Sequence, residues 1–172
     1  MRMMIAALLL AASAFAQQGP DEGVGRGYDG ELRHVTSQLI ALAEATPADK
    51  FAWRPAAGVR STSEVYMHIA LANFYLLSFT GPKTPAGFDF KLEKSVTSKA
   101  EVIDWLKRSL DAVRTARAAL KPADMQHKVK LFNDRDTTVD AVYLRIIIHN
   151  NEHMGQLIAY ARMSGVVPPW SQ

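Results

Sequence analysis

The sequence predicts an all-α domain built as a four-helix bundle. Three observations carry this. Four segments repeat apolar residues at spacings of three and four. Two of them open with Ser-x-x-Glu, a pattern in which serine and glutamate satisfy each other's orphan amides at a helix start. Glycine and proline then stop the segments where a helix cannot continue.

The first helix is expected over residues 28–45, with Leu32, Val35, Leu39 and Leu42 along one side, and Thr46-Pro47 ends it. A loop with Phe51 and Trp53 follows, and its rings are expected to pack on the end of the bundle. The second helix opens at Ser61-Thr-Ser-Glu64 and stops at Gly81-Pro82. Its inward stripe reads Val65, His68, Ala72, Tyr75 and Phe79. The connection over 81–97 is long enough for a crossover rather than a tight antiparallel turn. The third helix starts at Ser98-Lys-Ala-Glu101 and runs to Leu120, lined by Val102, Leu106, Leu110 and Val113. Asp104 with Arg108, and Lys107 with Asp111, are spaced as ion pairs on its solvated side. Residues 128–132 alternate like a short extended piece, and 133–136 form a turn. The fourth helix begins near Thr137-Thr-Val-Asp140 and ends at Ser164, with Gly165 as the residue past its cap.

Residues 1–16 stand apart. Arg2, the apolar run after it and Ala14-Phe15-Ala16 read as a secretory signal, too short for a comfortable membrane span, with an uncleaved N-terminal anchor as the alternative. Residues 17–27 are glycine-rich and read as a flexible leader, which leaves 28–172 as the domain. Cleavage after Ala16 removes 16 of 172 residues and leaves 156; with Arg2 gone, the formal charge falls from +3 to +2. No Lys/Arg cluster stands out, so the basic balance does not argue for nucleic acid. The chain has no cysteine, so it holds together by its core, or by core plus metal. An exported protein is expected, in a periplasmic or extracellular space. Its partner would be a small-molecule substrate. No nucleic acid and no membrane span after signal cleavage are expected, and a homodimer is the alternative to a monomer.

The residues that carry chemistry are histidines. His149 and His153 lie four apart within the stripe Val142, Ile146, His149, His153, Leu157, Tyr160. Such a pair stacks on one side of a helix and can grip one ion, since imidazole suits zinc, nickel, copper and iron. His68 on the second helix would complete a tridentate set with open positions, and three neutral ligands leave the ion's charge free to favour ionisation of a water. Spacing alone leaves hydrogen-bonded core histidines as the alternative. His34 is placed at a different level, as a partly exposed surface residue, and His127 in a solvated loop. His149-Asn-Asn-Glu152-His153 also fits the inverted zinc-peptidase motif, in which Glu152 would be the base. That class needs a downstream acidic ligand, and none follows His153. Glu152 is expected in a solvent or interhelix salt bridge, with a place at the edge of the site as the alternative. Gln156 is the best candidate to support a ligand from behind; Tyr75, Tyr160 and Arg145 are nearer to packing roles.

Read as a whole, the pattern resembles the DinB/YfiT-like family of four-helix-bundle metalloenzymes. The resemblance rests on the approach to the second helix (Trp53, Arg54, Pro55, Gly58, Ser61, Glu64, His68), on the pair His149 and His153, and on the tail Gly155-Gln156, Arg162, Gly165, Pro168 and Pro169. It implies an up-down-down-up bundle, and His68, His149 and His153 as ligands of one divalent metal ion, zinc or nickel first. It also implies thiol-dependent transferases and isomerases among the relatives, many of which have no assigned reaction. Those thiol-dependent members are intracellular, so an export signal shifts the expectation toward hydrolysis. A hydrolase or transferase using the three-histidine site is expected. A non-catalytic, metal-stapled binding or stress-related bundle is the alternative, and a metal-free helical interaction protein the third reading.

Overall fold

Local signals set the helix starts in the computed structural model, which describes residue 23 and residues 26–171. Four long helices form: α1 (Gly27–Ala45), α2 (Thr62–Ser78), α4 (Lys99–Ala118) and α5 (Val139–Met163). A one-turn helix, α3 (Leu92–Ser95), lies inside the connection between α2 and α4. The strands β1 (Lys128–Lys130) and β2 (Asp136–Thr138) pair antiparallel, with Val129 opposite Thr137. The turn between them passes through Asn133 and Asp134 at φ of 54° and 57°, where short polar side chains are tolerated best. The expected signal over 1–16 lies outside the described residues. Of the expected leader, Gly23, Arg26 and Gly27 are described, and Gly27 already opens α1.

The cap at α2 is complete. Ser61 Oγ accepts from the Glu64 amide at 3.3 Å, and the Ser61 amide donates to Glu64 Oε2 at 2.8 Å. At α4 only half of the box forms, because the Glu101 carboxylate takes the Ser98 hydroxyl proton instead of its amide. The end of α5 is a Schellman closure: Gly165 turns to φ 83°, the Val166 amide donates to Ala161 O, and the Gly165 amide to Arg162 O.

Cross-helix contacts give the directions. The Tyr28 hydroxyl donates to the Tyr143 carbonyl, so the starts of α1 and α5 lie together and the two run parallel. Lys99 Nζ donates to the carbonyls of Glu44 and Thr46, and Arg117 lies 3.6 Å from Asp29, so α4 is antiparallel to α1. Tyr75 and Phe79 at the end of α2 meet Phe132 ahead of α5, while Trp53 ahead of α2 meets Tyr160 near the end of α5, so α2 is antiparallel to α5. The order is up-down-down-up, with α2 and α4 parallel neighbours and α1 diagonal to α2.

Two expectations change. The α2 stripe named from periodicity is the rim of the helix: His68, Ala72, Tyr75 and Phe79 are half-buried, while Tyr66, Met67, Ile69, Ala70, Phe74 and Leu77 are buried. The cause is enclosure, since α2 packs on α4, on α5 and on the crossover. Lys107 does not pair with Asp111; it reaches Glu44 of α1 at 2.6 Å, and Asp111 pairs with Arg114. Asp104 and Arg108 pair as expected, at 3.1 Å. Among the described residues no helix is long and apolar enough to cross a membrane.

The core and the cap should separate in magnitude. Leu106→Ala, at a fully buried position, should lower unfolding free energy by about 2–5 kcal/mol. Ser61→Ala should cost about 1 kcal/mol. Urea denaturation of both variants checks the ranking.

Candidate metal centre

His149 and His153 converge because α5 is regular between them, and His68 reaches them because α2 lies antiparallel alongside. The ring centroids stand 4.5 Å apart for His149–His153, 4.7 Å for His68–His153 and 5.0 Å for His68–His149. One ring nitrogen from each lies within 4.8 Å of the other two. His68 Nε2 and His149 Nε2 are 3.2 Å apart.

The rings are oriented from behind. The His68 Nδ1–H donates to Glu93 Oε2 at 2.9 Å, and Arg60 Nε donates to Glu93 Oε1 at 2.8 Å. The His153 Nδ1–H donates to Gln156 Oε1 at 2.8 Å, and Gln156 Nε2 donates to the Tyr160 hydroxyl at 2.9 Å. Tyr160 is in turn held by the edge of Trp53. These partners assign the protons to Nδ1 and leave the Nε2 lone pairs of His68 and His153 turned to the shared point. Among the described residues, His149 Nδ1 is buried with no hydrogen-bond partner.

The donor set fits a metal ion. Two nitrogens each roughly 2.0–2.1 Å from one tetrahedral ion stand about 3.3–3.4 Å apart, close to the observed 3.2 Å. Without an ion, a neutral His149 that carries its proton on Nε2 donates to the His68 Nε2 lone pair, and a metal ion would take that proton's place. A second proton on the pair is disfavoured. Burial, then the neighbouring charges of His153 and His68, push His149 down to about 4. Burial also lowers His68, reinforced by Arg60 and His153 and opposed by Glu93. Burial pushes Glu93 up, but its bonds to Arg60 and His68 outweigh that and leave it below the usual carboxylate range. His68 and His149 are thus held as neutral bases, with one carboxylate behind His68, and the half-buried rims of His68 and His153 leave the trio open on one side.

The other sequence candidates fall elsewhere. Glu152 pairs with Arg145 at 2.7 Å on the solvent side, as a salt bridge rather than a base. His34 lies outside the cluster because α1 is diagonal to α2, a different reason from the level difference inferred from sequence. His127 is exposed, 3.9 Å from Asp124. Gln156 supports His153, in the position expected of it. Tyr75 belongs to an aromatic cluster with Phe79, Phe90 and Phe132. The sequence reading missed Glu93 and Arg60. A signal existed: parallel α2 and α4 oblige the connection to retrace α2, 17 residues or about 25 Å. It must therefore pass His68, and an acidic residue there is a natural partner.

The unfolded His149 side chain takes up a proton near pH 6.5, whereas the folded one resists it down to about 4. The unfolded chain therefore binds more protons across that window, and chelator-treated protein should lose stability as pH falls through it. The loss is at most about 3 kcal/mol and levels off below the folded value. Urea midpoints at pH 7 and pH 4.5 test this. A midpoint as insensitive to pH as that of His149→Gln would refute it.

The comparisons with known proteins agree with this architecture. A family model for the DinB superfamily matches residues 31–157. No curated protein matches the chain. Among solved structures, a DinB-like protein from Bacillus cereus aligns with TM-score 0.71 at 22% identity, covering 82% of this chain and 95% of its own. A DinB-like protein from Bacillus subtilis, YjoA, aligns with TM-score 0.65 at 17% identity, covering 84% and 96%. YfiT from Bacillus subtilis, described as a probable metal-dependent hydrolase with an unusual four-helix bundle topology, aligns with TM-score 0.63 at 15% identity, covering 87% and 94%. With the bundle order, the three-histidine cluster and a family match over most of the domain in place, the chain belongs to the DinB superfamily.

Proposed function

We propose that this protein is an exported enzyme that holds one divalent metal ion through His68, His149 and His153 and uses it in hydrolysis or group transfer. The observation that carries the reading is the convergence of three imidazoles from two helices, two of them oriented from behind by Glu93 and Gln156. A bound zinc or nickel ion would supply Lewis acidity toward a carbonyl or phosphoryl oxygen and make a water easier to ionise. The chain's own groups do the rest. Glu93 keeps the His68 Nε2 lone pair aimed at the ion and places one negative charge behind it. Gln156 does the same for His153 without charge, passing the constraint to Tyr160. A set of three neutral ligands with an open side matches catalytic rather than structural zinc sites. The description of YfiT supports the hydrolytic branch by analogy of fold.

The alternative, a metal staple without catalysis, draws on the same geometry, because the trio joins α2 to α5. Elemental analysis of protein purified from its native compartment should find one zinc or nickel per chain. His153→Ala should lose it, and the wild type should hydrolyse at least one member of an ester and amide panel. Stabilisation by metal with no turnover of any substrate would favour the staple; absence of metal after reconstitution would remove both. Glu93→Gln should bind metal about 10–100-fold more weakly while the fold is retained, as read by competition with a chelating dye.

The export part of the reading rests on the signal pattern over residues 1–16. Mass spectrometry of the protein from its native host should find a mature chain beginning at Gln17. An intact Met1 terminus in the cytosolic fraction would contradict it.

A further inference from the structure

The three histidines do not stand alone at the surface; they back onto a polar cavity. It has a volume of about 690 Å³ and is walled by Arg54, Arg60, Lys94, Glu64, Glu93 and Gln156. Two of these wall residues are the outer partners of the histidines: Glu93 accepts from His68, and Gln156 accepts from His153. The cavity is therefore one side chain away from the trio on two sides.

Its charges are not balanced. Three cations face two carboxylates, which leaves one net positive charge. Both carboxylates are already committed. Glu64 accepts from the Ser61 amide with one oxygen and from Arg54 with the other. Glu93 accepts from His68 with one oxygen and from Arg60 with the other. The cations are not used up. Arg60 bonds Glu93 through Nε and Nη2, and Nη1 is left over. The Lys94 ammonium makes no hydrogen bond or ion pair among the described residues. A visitor to this cavity meets spare N–H donors and a positive field, and few free acceptors. A divalent ion on three neutral imidazoles would add to that field.

We infer that this cavity is the anchoring subsite for an anionic oxygen group, a carboxylate or phosphate carried by the substrate. The inference rests on the metal-centre reading for its functional meaning, but not for the binding itself. The anion docks on Lys94 and the free edge of Arg60, in the planar, charge-assisted geometry that guanidinium favours. The remainder of the molecule then extends across Glu93 and Gln156 toward the open side of the histidines. The anchor fixes orientation, so the reacting bond is presented in one register rather than sampled from solution. Arg60 also links the two sites, since the guanidinium that meets the anion is the one that holds Glu93 on His68.

The test uses inorganic phosphate and acetate as separate probes, titrated calorimetrically into the full chain in metal-loaded and chelator-treated forms, with glycerol as the neutral control. At least one anion should bind both forms, and glycerol neither. Lys94→Gln should weaken that binding several-fold and Lys94→Glu about tenfold or more, with melting and metal content unchanged. Tighter phosphate marks a phosphoryl group as the anchored class, and tighter acetate a carboxylate. Binding of neither anion overturns the inference. So does binding that vanishes with the metal and ignores Lys94→Glu, because the anion is then simply a ligand of the ion. A chain that takes up no metal yet binds an anion through Lys94 would sink the metal reading and leave this subsite standing.

Discussion

The parallel alignment of α2 and α4 is the constraint from which the site follows. Two neighbours running the same way cannot be joined by a tight turn. The chain must travel back along α2 before α4 can begin. That return path carries Phe90 past Tyr75 and Glu93 past His68. An up-down-up-down bundle would need no such return, and His68 would face solvent or α5 alone. The topology therefore supplies the carboxylate that orients one of the three imidazoles.

Burial and charge oppose each other at the centre in a way that suits cation binding. Enclosure between α2 and α5 favours the neutral form of His68 and His149, and neutral imidazole is the form that coordinates metal. The neighbouring His153 also disfavours a proton on both, and His68 disfavours one on His149. The energetic cost of grouping three bases is thus greatest for the protonated cluster and smallest for one that shares a divalent ion. Glu93 softens this on one side only, where it accepts from His68 with one oxygen and from Arg60 with the other.

What was legible in the sequence was what is decided locally. The starts of α2, α4 and α5 follow from Ser61, Ser98 and Thr138, and the end of α5 from Gly165, all of which act within a few residues of themselves. His149 and His153 were legible because helix pitch alone brings them together. The α2 stripe was misread because periodicity assumes one wet side and one dry side. A helix covered on three sides loses that contrast, and its polar members mark a rim. Lys107 shows the same limit: the four-residue rule sees only its own helix, while Glu44 is offered by the antiparallel neighbour. Glu93 and Arg60 were missed for a related reason. Glu93 meets His68 and Arg60 only because the connection retraces α2, and nothing local to either residue distinguishes it from other charged residues in loops.

The division of the imidazoles between helices has a last consequence. Two of them belong to one continuous element and keep their spacing wherever α5 is helical, even in a loosened molecule. The third depends on α2 being docked. Coordination number would thereby become a gauge of tertiary order: a partly opened molecule would keep a feeble two-point grip on an ion, and only the assembled bundle would close it. The lifetime of an ion held there would then depend on how often α2 and α5 part company as well as on its nitrogen–metal bonds.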